Sequence, residues 1–283
     1  MKPSLPPIAI ATLGRKRITT LEWFTPDVQK RVTLWCNRAQ VASLRAAYPG
    51  VGYVLPCPCQ PEPGEQVDGL TKGLSPIRHW LMNHYAKAGA PCVIVADDDT
   101  TFWIRINRDD PTDWHCRRAT PDETTEMLED LAKMTGADTP MVGVSLKQGN
   151  NRYSTPVAYN QRMCGVWTVH VPTYHALKLC FADVPSMQDF WMMLSFLTLG
   201  KRTAQICDRM HNPSTSGSAG GCSVYRTNDT QRISVGRLVA RFGPFVKPKV
   251  KATKTGWFGG ERLDVTVQWK KAYEFGQQFG HLL

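Results

Sequence analysis

The sequence predicts an α/β domain built on a mainly parallel central sheet. Strand-like and helix-like segments alternate along the first 200 residues, and this alternation with short connections is typical of parallel sheets covered by helices. Apolar runs at residues 7–12, 32–36 and 51–56 predict three strands, with a helix over about 38–48 between the last two. Ser75 followed by Pro76 predicts the start of another helix, which Gly89 ends.

The most informative stretch is the apolar run at residues 93–96, which ends in Asp97, Asp98 and Asp99. It predicts a strand that carries three carboxylates to the edge of the sheet. Adjacent carboxylates repel one another, and a divalent cation or hydrogen-bond donors stabilise such a cluster. Because parallel sheets bind ligands outside the carboxyl ends of their strands, we expect a hard metal here, together with the phosphates that such a metal bridges.

The second half of the first 200 residues continues the alternation. Thr120 and Glu123 predict a capping box at the start of a helix near residues 121–134. Strands are expected at 141–146 and 165–171, and a further helix follows them, opening near Asp189; a short strand over 206–208 comes next.

Composition excludes several classes of protein. The chain has 283 residues, of which 42% are hydrophobic, enough to bury a full core. No apolar run approaches the roughly 20 residues that cross a bilayer, and residues 1–17 are interrupted by prolines and end in three basic residues, unlike a signal peptide. The nine cysteines are scattered, which favours reduced thiols over a disulfide framework. We expect a cytoplasmic protein with no membrane partner.

Positive charge is concentrated at the C-terminus. Residues 201–283 contain 14 Lys and Arg against 5 Asp and Glu, a net charge of +9, whereas residues 1–200 contain 20 against 19, a net charge of +1. Such a segment is the electrostatic footprint of a polyanion binder, although a solvated basic tail is the alternative. Within it, basic side chains suited to a phosphate backbone precede an aromatic suited to stacking on a base, namely Lys247, Lys249, Lys251, Lys254 and Trp257. The alternative use of this tryptophan is in a small core.

The order of these motifs resembles the nucleotide-sugar-dependent glycosyltransferases of the GT-A fold. The resemblance covers residues 7–212 and rests on a strand ending at Thr12, the acidic triplet, residues 165–169, Asp189 at a helix start, and the pair Asp208 and His211. Residues 226–273 are similar to the phage TET/JBP-associated glycosyltransferases, which implies 5-hydroxymethylpyrimidine in phage DNA as the acceptor. The expected organisation is a catalytic domain over 1–212, with a glycine- and serine-rich loop and a basic DNA-contacting segment over 213–283 packed on it.

The resemblance implies a metal site and a donor site. In this fold an Asp-x-Asp motif holds a divalent metal on the donor diphosphate, and Asp97 and Asp99 satisfy it. Asp99 is the implied direct ligand of Mn²⁺ or Mg²⁺, with Asp97 and Asp98 beside a UDP-sugar. His211 matches the position of a further ligand, which would favour manganese; the alternative is an ordinary loop histidine.

Four other residues are expected to approach the nucleotide, namely Thr12, Gly14, Arg15 and Arg78. Gly14 allows close backbone contact and Arg15 offers charge to phosphate. The alternatives are a strand-to-helix turn with a solvated basic cluster and, for Arg78, a surface arginine.

Asp189 is the candidate general base, since a hydroxymethyl oxygen is a poor nucleophile and the fold commonly places an acid at this helix start. The alternative is a capping box formed with Ser186. Attack on the face opposite the leaving group would invert the anomeric centre. A bulky active site cannot easily reach a 5-hydroxymethyl group in undistorted duplex DNA, so we expect base flipping or local distortion.

The sequence therefore predicts a metal-dependent enzyme that transfers a sugar from a UDP-sugar to 5-hydroxymethylcytosine, or its uracil counterpart, in DNA. Three alternatives stay open at this point. The acceptor could be a protein or a carbohydrate. The chain could be a metal-dependent nuclease, because such enzymes also cluster carboxylates, or a non-catalytic DNA-binding protein.

Overall fold

A computed structural model describes residues 5–15, 17–110, 112–148, 153–213, 226–253 and 260–282. Its strands are β1 (Ile8–Ala11), β2 (Val32–Cys36), β3 (Tyr53–Pro56), β4 (Cys92–Asp97), β5 (Thr100–Arg105), β6 (Cys116–Arg118), β7 (Met141–Leu146), β8 (Val157–Tyr159), β9 (Val166–His170), β10 (Thr203–Pro213), β11 (Val246–Ala252) and β12 (Glu261–Val267). Its helices are α1 (Pro26–Gln29), α2 (Val41–Ala47), α3 (Leu74–Lys87), α4 (Pro121–Met134), α5 (Val171–Ala176), α6 (Gln188–Thr198), α7 (Asn228–Phe242) and α8 (Trp269–Phe279).

The first ten strands form one sheet in the order β3-β2-β1-β4-β9-β7-β10-β5-β6, with β8 paired to β10. The block β3-β2-β1-β4 is parallel, β7 is parallel to β10, and β9 runs antiparallel between β4 and β7. The predicted α/β class with a mainly parallel sheet is confirmed. Because β1 and β4 are parallel and in register, with Ala11 opposite Asp97, their carboxyl ends lie side by side.

Helices cover both faces of the sheet, because alternate residues of the buried strands point to opposite sides. One core joins strand residues such as Ile10 to Leu128 and Leu131 of α4. The core on the other face joins Trp167 to residues of α3, α5 and α6. The sheet is thus held between two apolar layers, and its carboxyl edge is left to carry polar groups.

The C-terminal residues pack on α6. A third core joins Leu194 and Leu197 of α6 to Leu238 of α7, Val265 of β12 and Ala272 of α8. The strands β11 and β12 form a separate antiparallel hairpin. α6 therefore has one side on the sheet and the other on the C-terminal elements.

Two local expectations differ from the structure. The helix predicted to start at Ser75 begins one residue earlier at Leu74, and Gly73, with φ of 120°, occupies the N-cap position without a side-chain cap. A second difference concerns Asp208 and His211, which both lie in the eleven-residue strand β10, whereas the sequence predicts only a short strand over residues 206–208. Among the described helices, none combines the length and apolarity that a bilayer crossing requires.

Candidate active site

The acidic triplet lies at the turn between β4 and β5. Asp97 is the last residue of β4, and Thr100 begins β5. The Thr20 hydroxyl fixes this turn, since it donates a hydrogen bond to the Asp97 carbonyl at 2.6 Å and accepts one from the Thr100 N–H at 3.0 Å. The turn aims all three carboxylates at the carboxyl edge of the sheet.

Two predicted donor-site arginines meet the triplet. Arg15 places Nε 3.1 Å from Asp98 Oδ1 and a terminal nitrogen 2.7 Å from Asp99 Oδ2. Arg78 lies 2.9 Å from Asp97 Oδ1, and its side chain is only 4% exposed. Its guanidinium also lies 5.0 Å from the centre of the Trp167 ring. Arg78 is therefore not the surface arginine of the alternative interpretation.

Burial and mutual repulsion weaken the acidity of the triplet. About a third of the Asp97 side chain is exposed, but desolvation of the carboxylate in the cleft raises its pKa to about 7. The positive charge of Arg78 opposes this shift, and the negative charges of Asp99, Asp98 and Asp189 add to it. Burial likewise raises the pKa of Asp98 to about 6, against the effects of Thr12 and Arg15. The triplet thus places three carboxylates against two guanidinium groups, those of Arg15 and Arg78.

This charge excess fits a divalent cation. Asp98 Oδ2 is buried and has no hydrogen-bond partner among the described residues, and carboxylate oxygens are the ligands that Mg²⁺ and Mn²⁺ prefer. Within the described ranges, however, no group of three or more His, Cys, Asp or Glu side chains has the arrangement of a metal site. The metal at Asp97 and Asp99 stays a prediction that the triplet's chemistry supports.

His211 is a strand residue, so the alternative of an ordinary loop histidine is wrong. It is fully buried in β10, opposite Phe102 of β5. Its ring packs against Gly165, whose carbonyl accepts a hydrogen bond from the Asp97 N–H at 3.0 Å. Neither ring nitrogen has a hydrogen-bond partner of normal geometry in the described structure. Burial lowers the pKa of His211 to about 4, and the nearby Cys164 backbone opposes this shift to a smaller extent. The ring is neutral at pH 7, as a metal ligand must be, but the ligand role remains a prediction.

Asp189 is in the first turn of α6, and the capping-box alternative is wrong. The helix is preceded by Met187 in the left-handed conformation, with φ of 58° and no side-chain cap. The Ser186 hydroxyl instead contacts the Ser234 hydroxyl of α7 at 2.8 Å. In the described structure the Asp189 carboxylate lines a cleft that Asp97 also lines, and Asp189 contributes to the raised pKa of Asp97.

Two adjoining clefts therefore meet at Asp97. The first, called the donor cleft after the role proposed for it below, is lined by Thr12, Arg15 and the acidic triplet, among others. The second, called the acceptor cleft for the same reason, is lined by Asp97, Gly165 and Asp189, among others. Leu74, at the start of α3, also lines both clefts. A molecule that spans the two would pass directly over Asp97.

The predicted nucleotide residues Thr12 and Gly14 follow β1. The Thr12 N–H bonds to Trp35 O at 2.9 Å, and Gly14 adopts φ of 68°, which glycine accepts without strain. Sequence reasoning missed Gln60 here. Its amide nitrogen donates to both Thr12 O and Trp35 O at 3.1 Å, and its amide oxygen is buried and has no partner among the described residues.

Sequence reasoning also missed the basic lining of the acceptor cleft. Besides Arg78, three arginines and Asp264 contribute to its wall, the arginines being Arg162, Arg226 and Arg262. Arg162 is in the loop before β9, Arg226 immediately precedes the N-cap residue Thr227 of α7, and Arg262 is in β12. No sequence motif marks them, because only the fold brings these separate segments together.

The predicted DNA-contacting lysines are placed in part. Lys247, Lys249 and Lys251 are exposed on β11, at alternate positions of one strand. Lys254 and Trp257 lie outside the described residues.

The comparison with protein families decides the assignment. A model of the family described as TET-Associated Glycosyltransferase matches residues 7–215. The chain belongs to this family. The match confirms the expected family, but it covers residues 7–215, whereas the similarity to this family was expected in residues 226–273, which the family model does not reach. No curated protein matches the chain.

Two solved structures are partly similar to this TET-associated glycosyltransferase, at low identity and with TM-scores below 0.5. TarS residues 1–349 from S. aureus has 11% identity and a TM-score of 0.48, over 82% of this chain and 64% of that one. GalNAc-T7, solved with UDP, GalNAc and Mn²⁺, has 11% identity and a TM-score of 0.40, over 75% of this chain and 44% of that one. The chain thus spans less than two thirds of either structure.

Proposed function

We propose that this protein transfers a sugar from a UDP-sugar to the hydroxymethyl oxygen of 5-hydroxymethylcytosine in DNA. One observation carries the proposal: Asp97 lines both the cleft of the acidic triplet and the cleft of Asp189. A donor on the triplet would therefore present its sugar to an acceptor beside Asp189. Family membership supports the same class of reaction.

The triplet would hold the donor diphosphate. Asp97 and Asp99 would bind Mn²⁺ or Mg²⁺, which when bound stabilises the negative charge that develops on the departing nucleoside diphosphate. Arg15 contacts Asp98 and Asp99, and its guanidinium would bind the donor phosphates beside them. Arg78 fixes Asp97 from the protein side, since it is buried and ion-paired there.

Asp189 would act on the acceptor. Its carboxylate takes the proton of the hydroxymethyl group as the oxygen attacks the anomeric carbon, which raises the nucleophilicity of that oxygen. Attack opposite the leaving group would be a single inverting displacement.

The DNA acceptor is supported by charge. Residues 201–283 have a net charge of +9, and the exposed lysines of β11 contribute part of it. A row of lysines suits contact with a phosphate backbone. Lys254 and Trp257 stay predicted DNA contacts outside the described residues.

The direct test is mass spectrometry of nucleosides from 5-hydroxymethylcytosine DNA incubated with the protein, Mn²⁺ and a panel of UDP-sugars. We expect a hexose or N-acetylhexosamine mass on the modified nucleoside, absent with Asp99→Ala. Metal-dependent UDP release with an unchanged digest would discard the DNA acceptor in favour of a protein or carbohydrate. Cleaved DNA without any donor would indicate a nuclease, and silence in every assay would indicate a binding-only protein.

The role of Asp189 has its own prediction. Asp189→Asn preserves shape and removes the base, so we expect kcat for transfer to fall about 10²- to 10⁴-fold, with little change in the affinity for UDP measured by calorimetry. The matched control is Asp183→Asn, because Asp183 lies in the preceding short 3-10 helix and does not line the acceptor cleft. Near-normal kcat in Asp189→Asn would assign the base elsewhere.

A further inference from the structure

The acceptor cleft has more positive charge than sugar transfer to a neutral hydroxyl requires. Four guanidinium groups line it, from Arg78, Arg162, Arg226 and Arg262. Three carboxylates face them, from Asp97, Asp189 and Asp264. Arg78 is paired with Asp97 at 2.9 Å, and the other three arginines line the same cleft together with Asp189.

These three arginines converge from separate parts of the chain. Arg162 precedes β9 and lies 4.9 Å above the ring of Phe190, the residue after Asp189. Arg226 stands just before α7. Arg262, in β12, is 3.0 Å from Asp264 and its side chain is 19% exposed. Asp264 is itself partly buried, and this burial would raise its pKa, but the Val265 N–H and the charges of Arg262 and Arg162 lower it on balance. The carboxylate that accompanies Arg262 is therefore ionised, and it holds this guanidinium at the cleft wall.

The hairpin connects this cleft to the lysine row. In the β11–β12 register Lys251 is opposite Arg262, Lys249 is opposite Asp264 and Lys247 is opposite Thr266. Residues directly opposite in an antiparallel pair lie on the same face. The other face carries Val246 and Val265, which are buried in the third core. One face of the hairpin is thus basic from the exposed lysines to the cleft beside Asp189.

We propose that Arg162, Arg226 and Arg262 form an anion subsite that binds a phosphate of the acceptor strand next to the target nucleotide. The inference rests on the proposed function and deepens it. Guanidinium groups suit this task because their planar donor arrays bind phosphate oxygens in pairs. A strand that follows the lysine row reaches Asp189 past Arg262, whereas a free nucleoside has no group for the subsite.

An acidic donor sugar is the other source of an anion at this place. A carboxylated sugar held on the triplet would also extend toward Asp189. Such a sugar would not explain the lysines on the exposed side of β11. Because the basic face continues from the cleft to those lysines, it favours the acceptor phosphate.

The test compares three acceptors: 5-hydroxymethyl-2′-deoxycytidine, a single-stranded oligonucleotide with one central 5-hydroxymethylcytosine, and the same oligonucleotide with methylphosphonate linkages flanking that base. We expect kcat/KM of the wild-type protein to fall about tenfold or more when the flanking charges are removed. In Arg162→Gln and Arg226→Gln, the preference for the charged oligonucleotide over the neutral one should shrink toward unity. Arg232→Gln is the matched control, because Arg232 is on α7 with a side chain 71% exposed and does not line the cleft. It should keep the wild-type preference.

The contrary results are distinguishable. Transfer to the oligonucleotide with no methylphosphonate effect, or with the full preference retained in both variants, would overturn the subsite alone. If the variants instead raised the KM of a UDP-uronic acid while the linkage chemistry had no effect, the anion would belong to the donor. No transfer to any of the three acceptors, with metal-dependent UDP release intact, would overturn the DNA acceptor and the subsite with it. Melting temperatures of the variants would identify any loss that arises from misfolding.

Discussion

Three identical side chains at the end of β4 have three different surroundings. Asp97 faces Arg78, Asp98 faces Arg15 Nε, and Asp99 faces a terminal nitrogen of Arg15. Burial raises the pKa of Asp97 and of Asp98, and the charge of Asp99 adds to both shifts. Neutralising one aspartate therefore changes the ionisation of the others, and the effects of single substitutions on donor binding should not add.

Gly165 is a residue for which both backbone and space require glycine. Its φ is 74°, and an added Cβ would lie 2.8 Å from His211 Nδ1 and closer still to Cε1. Gly165→Ala should therefore displace the His211 ring or the segment whose carbonyl holds the Asp97 N–H. We expect a loss of about 1–3 kcal/mol from overpacking in addition to the left-handed strain of about 1–2 kcal/mol, measured by urea unfolding.

The control for this prediction is Gly89→Ala. Gly89 has φ of 70°, but a Cβ there would meet nothing within 4 Å, so it should show the backbone strain alone. Equal losses of unfolding free energy in the two variants would mean that the His211 ring moves away from the added methyl group at no measurable cost.

At the scale of elements, the signals that worked were local. The Thr120–Glu123 capping box forms as predicted, because both partners lie within one turn of α4. Ser186 has the same local pattern and does not cap, because its hydroxyl bonds to Ser234 of another helix. Adjacent residues cannot reveal such a long-range competitor, and this limits what spacing alone predicts.

The start of α4 yields a pH prediction. The Arg117 guanidinium, with further hydrogen bonds at Thr120, lowers the pKa of Glu123 to about 2. A carboxylate whose pKa is lower in the folded state contributes stability that is complete above its unfolded value of about 4.5, and the contribution is lost as the pH falls toward 2. Glu123→Gln should therefore be less stable than the wild type at pH 7, and the difference should shrink between about pH 4.5 and pH 2.

Urea unfolding at several pH values measures this difference. Asp122→Asn is the matched control, because Asp122 is exposed in the same turn and has no ion pair among the described residues. A constant difference for Glu123→Gln at all pH values would show that the Arg117 contact contributes nothing.

The candidate site was predictable only where the sequence already groups its residues. The acidic triplet is contiguous, and Arg15 follows the first strand, so both were expected at the carboxyl edge of the sheet. Arg162, Arg226 and Arg262 are spread over a hundred residues and meet only because α7 and the hairpin pack on α6. The division of the chain near residue 212 stays a prediction, but the described C-terminal elements share a core with the helix that carries Asp189.

The attachment of the C-terminal elements depends on close contact between α8 and the end of α6. An added Cβ at Gly276 would overlap Leu197 O and lie 2.5 Å from Gly200 N and 2.9 Å from the Thr198 carbonyl carbon. All of these are backbone atoms, which cannot turn aside as a flexible side chain can. Gly276→Ala should therefore separate the two helices at a cost of about 1–3 kcal/mol, equivalent to a fall in Tm of about 2–4 °C per kcal/mol.

Gly236→Ala is the matched control for Gly276→Ala. Gly236 is in α7, exposed, and nothing lies within 4 Å of an added Cβ, so alanine should raise stability by about 0.5–1 kcal/mol through helix propensity alone. Calorimetric melting of the two variants gives the comparison. Because α6 carries Asp189 at its other end, and the third core joins α6 to the hairpin of Lys247, Gly276→Ala should also weaken transfer to DNA more than it weakens UDP release. A rise in Tm for both variants would mean that α8 can move outward freely, and that the C-terminal elements do not depend on this contact for their position.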